Sequence, residues 1–176
     1  MAFASHFDLQ HVKRGPHTKR DIMLLDQFEE SIICVENIAA NLPGLKQALS
    51  NTLAFKHMLT QYSALYMTDT ELRGRVRTDL LRHLAYAVTH NVRACSLHCM
   101  LEDAWLDEPW TFFRIHHDNQ ASIERLISEL RQQVNYAEGL LISHTQHVRH
   151  CRNELQHIWI PPNEDSTSNS SDSGSE

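Results

Sequence analysis

Between residues 118 and 158 apolar positions recur at alternating steps of four and three residues: Ile123, Ile127, Leu130, Val134, Ala137, Leu141, His144, Val148, Cys151, Leu155 and Ile158. This heptad stripe predicts an amphipathic helix with one buried seam. Leu126 and Leu140 widen the stripe toward burial against several helices. At about 1.5 Å of rise per residue such a helix extends roughly 60 Å, so it needs an equally long partner. The same stepping predicts a helix over 21–41 (Leu25, Phe28, Ile32, Val35, Ala39), broken by Asn41-Leu42-Pro43-Gly44 because proline starts helices more readily than it continues them. A second helix follows over 43–67 (Leu45, Ala48, Thr52, Phe55, Leu59, Tyr62, Tyr66). Thr68-Asp69-Thr70-Glu71 reads as a capping box, with the Thr68 hydroxyl and the Glu71 carboxylate satisfying backbone amides reciprocally. It opens a third helix over 68–106 whose seam is Leu81, Ala85, Val88, Val92, Cys95 and Cys99. The expected fold is therefore all-α: an antiparallel helical bundle in which the two long helices, third and fourth, form a hairpin, with disordered termini.

The ends break this periodicity. Residues 1–20 form a flexible basic, histidine-containing arm (His6, His11, Lys13, Arg14, His17, Lys19, Arg20) interrupted by Gly15-Pro16. Residues 21–162 are the bundle domain, stopped at Pro161-Pro162. Residues 163–176 lack any large apolar side chain and read as a disordered acidic, serine-rich tail, with Ser173 before Glu176 as a candidate phosphorylation site for an acid-directed kinase.

Composition narrows the function classes. A chain of 176 residues with five glycines, five prolines and 41% apolar residues suits one helical domain. The net charge is −6, but Glu164, Asp165, Asp172 and Glu176 of the tail supply much of it, so the body is nearly neutral. That balance argues against nucleic acid as the main partner, which calls for a clearly basic face. The local exceptions are Arg73, Arg75, Arg77 and Arg82, with Arg73 and Arg77 on one helical face, and Lys13, Arg14, Lys19 and Arg20 of the arm, so a nucleic-acid-associated regulator is an alternative reading. No apolar run is long enough to cross a membrane, and the N-terminus lacks the plan of a signal peptide. An intracellular protein, cytoplasmic or nuclear, with reduced cysteines is expected.

Candidate chemistry is sparse. Cys95 with Cys99, and His147 with Cys151, stand at the i, i+4 spacing from which a helix face can grip zinc, and a structural zinc protein is the second alternative. Along a continuous hairpin the two pairs would lie about 40 Å apart, which favours cysteines that simply fill a core. Neither a glycine-rich anion loop nor a nucleophile elbow is present, so no cofactor and no enzymatic activity are expected. The densest aromatic stretch is instead a connector: Trp110, Phe112, Phe113 and Ile115 follow Pro109 where the hairpin should turn, and Trp159 lies near the opposite end. Bulky anchors of this kind favour interfaces. The reading is an interaction, adaptor or regulatory protein, self-associating through helical faces and binding protein partners through these five residues. Trp105 is expected in the core and Trp110 at least partly exposed.

Overall fold

The computed structural model describes residues 16–158, and the expectations for the arm before residue 16, for Trp159 and for the tail with Ser173 lie outside the described residues. Among the described residues the fold is all-helical, without strands: α1 (Lys19–Ser63), α2 (Thr70–Val88), α3 (Val92–Glu102) and α4 (Thr111–Glu154), followed by a 3-10 turn at Gln156–Ile158. Two compact units divide the chain, one made of Met1–Ile33 with His144–Glu176 and the other of Cys34–Ser143; α1 and α4 contribute to both.

In the unit Cys34–Ser143, α1 buries Ala48, Thr52, Phe55 and Leu59, the stripe that the spacing predicts. α4 answers with Ile123, Leu126, Ile127, Leu130 and Val134. Full burial of each Leu, Ile or Phe side chain contributes about 1.5 to 3 kcal/mol, and α2, α3 and the start of α4 add Leu80, Leu84, Leu97, Leu101 and Phe112 to the same core. Lys46 of α1 pairs with Glu138 of α4 at 2.6 Å, and Lys56 of α1 pairs with Glu124 of α4. In the unit Met1–Ile33 with His144–Glu176 a smaller cluster joins Leu24 and Phe28 of α1 to Cys151, Leu155 and Ile158. Arg20 pairs with Glu154 at 2.6 Å beside it.

Three expectations are corrected. The helix does not break at residues 41–44: α1 is continuous through Pro43 over 45 residues. Proline removes the bond that its missing N–H would give Ala39, but the buried positions on either side, Leu42 and Ala48, keep the turn in register, and tertiary packing outweighs local propensity. Nor is there one third helix over 68–106. The Asp69 carboxylate caps α2 by accepting from the Glu71 and Leu72 amides at 2.9 and 3.2 Å, the role assigned to Thr68. After Val88 the chain turns: the His90 and Asn91 amides both donate to the Ala87 carbonyl, and the Asn91 side chain starts α3 by accepting from the Arg93 amide at 2.8 Å. This elbow means that the matched long helices are α1 and α4 rather than the third and fourth. Finally, the buried face of α2 and α3 is Val76, Leu80, Leu84, Ala87, Ala94, Leu97 and Leu101; Val92, Cys95 and Cys99 of the predicted seam are exposed.

Candidate interaction surface

The aromatic connector is partly helix. Asp103 ends α3, and the Thr111 hydroxyl, 2.6 Å from the Trp105 carbonyl and 2.8 Å from that of Glu108, fastens the turn that opens α4. Phe112 and Ile115, counted among the partner-binding residues, point inward and belong to the core. The correction follows from helical phase: once the turn is helical, positions 112 and 115 share one face and 110, 113 and 117 another. Pro109 precedes the first turn, where a missing N–H is harmless.

The outward face carries a row of rings. Tyr66, beyond the end of α1, lies 5.2 Å from Trp110 between ring centroids. Trp110 meets Phe113 edge-on at 6.3 Å, and Phe113 stacks on His117 at 5.9 Å. These are the separations at which aromatic rings attract one another, yet Tyr66, Trp110 and Phe113 remain 61%, 55% and 48% exposed. Leu65 is exposed beside Tyr66 in the chain. Trp105, expected in the core, is 74% exposed, because α3 ends before it and its backbone is held by Thr111 instead. Tyr66 and His117 were not foreseen: Tyr66 continues the buried spacing of α1 but stands past its last residue, Ser63.

Two of the four arginines of α2, Arg73 and Arg77, are structural. Arg73 is 2% exposed; its guanidinium donates to the Met67 carbonyl at 2.5 Å, to the Thr70 hydroxyl at 3.1 Å and to the Leu106 carbonyl. Arg77 donates to the Leu101 carbonyl at 2.6 Å and to that of Glu102, the carbonyls that the end of α3 leaves unpaired. The shared face of Arg73 and Arg77 therefore points into the protein. Arg75 and Arg82 lie on the surface, paired with Glu71 and Asp79.

The metal candidates are distributed over both units. Cys95 and Cys99 are exposed on α3, and the proximity of Cys95 pushes the Cys99 thiol up. Cys151 is buried, 3.5 Å from His147 Nε2, and burial pushes its thiol up as well, the opposite of what a nucleophile needs. Among the described residues no three His, Cys, Asp or Glu side chains come together as a metal site. Two carboxylates are shifted for structural reasons. The Asn91 amide, and after it the Arg93 guanidinium at 2.9 Å, hold Glu129 below the usual range. The Thr18 hydroxyl and amide, with His157 at 3.1 Å, do the same for Asp21. No helix of the described residues is long and apolar enough to cross a membrane. Compared with protein-family models, with curated proteins and with solved structures, the chain matches none.

Proposed function

We propose that this chain is a non-enzymatic interaction protein, an adaptor or regulator working inside the cell, whose helices form an antiparallel bundle and whose ring row Tyr66, Trp110, Phe113 and His117 receives a protein partner. The observation that carries the reading is the row itself: interlocked rings that stay about half exposed at the start of α4. A cap closing the bundle would bury its rings, as Phe112 is buried. Aromatic anchors held rigid before contact bind with little loss of side-chain entropy. Self-association through the same face is one form that such binding takes, and phosphorylation of Ser173 would add negative charge without needing to alter the fold.

The test is affinity capture with the full chain against a Trp110→Ala, Phe113→Ala double variant, with sedimentation in parallel. The variant should lose captured proteins, or a dimer, while its melting temperature falls by no more than a few degrees. An unchanged set of partners and an unchanged mass would defeat the reading.

A further inference from the structure

The connection between α3 and α4 turns arginines inward and acids outward. Residues 102–118 hold five acids, Glu102, Asp103, Asp107, Glu108 and Asp118, against one arginine, Arg114. All five acids are exposed. Arg73 and Arg77, which α2 sends to this region, give their hydrogen bonds to main-chain carbonyls and, for Arg73, the Thr70 hydroxyl. Arg114 is paired with Glu108. The Asp103 carboxylate has no hydrogen bond or ion pair among the described residues, and Asp118 meets only the exposed His117.

A cleft of about 300 Å³ opens here, on the side of α4 away from the ring row. Met100, Ala104, Ile115 and Trp105 give it apolar walls, and Asp103 and Asp118 line it together with the engaged Arg114. The two kinds of wall select one chemistry. A purely apolar side chain would cover Trp105 and leave two carboxylates unanswered, and a carboxylate would be repelled by them. A guanidinium answers both, because it stacks on an indole face and donates in a fork to carboxylates.

We propose that the Trp105 cleft receives an arginine side chain from a basic segment of a partner protein, lying on the indole and pairing with Asp103 and Asp118. The proposal rests on the interaction reading in requiring a protein partner, but it concerns a different face of α4 and can fail separately.

The experiment uses the full chain with Trp110→Phe and Trp159→Phe, which leaves Trp105 as its one indole. The probe is a short alanine-based peptide carrying arginines; the controls carry citrulline, which has nearly the same shape without the charge, or glutamate. The arginine peptide should shift Trp105 emission saturably, the citrulline peptide should bind about tenfold more weakly, and the glutamate peptide should not bind. Asp103→Asn with Asp118→Asn should weaken arginine binding by about tenfold with an unchanged melting curve. A missing shift, equal affinity for citrulline or glutamate, or indifference to the two aspartates overturns the proposal. Lys13→Ala with Arg14→Ala should leave the affinity as it was; a tenfold gain would make the chain's own arm the occupant and overturn the assignment to a partner. Arginine binding by a chain whose Trp110→Ala, Phe113→Ala variant keeps all its partners would fail the ring row alone, and the reverse pattern would fail the cleft alone.

Discussion

Replacing Arg73 by methionine tests whether the buried guanidinium holds the loops at both ends of α2 and α3. Methionine keeps the length of the side chain and much of its volume, so packing is nearly preserved and the donors are removed. Two main-chain carbonyls, of Met67 and Leu106, lose their charged donor, and the Thr70 hydroxyl loses a third contact. A buried acceptor left unsatisfied costs about 1 to 3 kcal/mol. Part of that loss is offset because the variant no longer buries a charge. The net destabilisation should be about 2 to 4 kcal/mol, equivalent to a fall in melting temperature of roughly 5 to 15 °C. Urea denaturation followed by circular dichroism measures it, with two controls. Arg73→Lys, which cannot span three acceptors, should fall between the parent and Arg73→Met. Arg75→Ala removes only an exposed contact with Glu71 at 3.6 Å and should change stability by less than about 0.5 kcal/mol. An Arg73→Met protein as stable as the parent would refute the reasoning, and one more stable would show that burying the charge outweighs its hydrogen bonds.

Asp21 is held below its ordinary value of 3.8, so its ionised form contributes stability above that pH and loses it as pH falls through the lowered folded value; the stability gap between the parent and Asp21→Asn should be constant near neutrality and close only below pH 3.8. A gap that closes nearer pH 6 would point to another group. Pro43→Ala restores a donor inside α1 at an exposed position and should stabilise the protein by about 1 to 3 kcal/mol in the same urea assay. Asn91→Ala removes the cap of α3 and a donor to Glu129 and should cost about 1 to 2 kcal/mol, seen as faster amide exchange in the first turn of α3. Iodoacetamide followed by mass spectrometry should modify Cys95 and Cys99 in the folded protein and reach Cys151 only on unfolding; early labelling of Cys151 would contradict its burial.

The helical class and two of the buried stripes were legible because Ala48, Thr52, Phe55 and Leu59, and Ile123, Ile127, Leu130 and Val134, carry unbroken helical periodicity. The face of α2 and α3 was not, since two stripes compete there. Leu81, Ala85, Val88, Val92, Cys95 and Cys99 step by three and four just as Val76, Leu80, Leu84 and Ala87 do; α2 buries the second set and leaves Ala85 of the first exposed, and the elbow after Val88 interrupts the rest. The signal for the elbow was Asn91, a good N-cap at the start of a short helix. Composition identified the aromatic connector as the place to look but could not divide it. Whether Phe112 or Phe113 turns inward depends on where α4 begins, and that is fixed by the Thr111 hydroxyl reaching back to Trp105 and Glu108.

The arginines show why a charge count misleads about partners. Arg73 and Arg77 look like half of a basic patch, yet both are turned into carbonyls that helix ends and loops leave unpaired. A guanidinium bound in that way cannot reach a phosphate without uncovering the carbonyls it satisfies, so the price of nucleic-acid binding through this face would be the connection itself. Their inward turn also leaves the carboxylates of residues 102–118 as the charges that a partner meets first. The Trp105 cleft is lined by two of these carboxylates, Asp103 and Asp118, beside Arg114, which Glu108 engages.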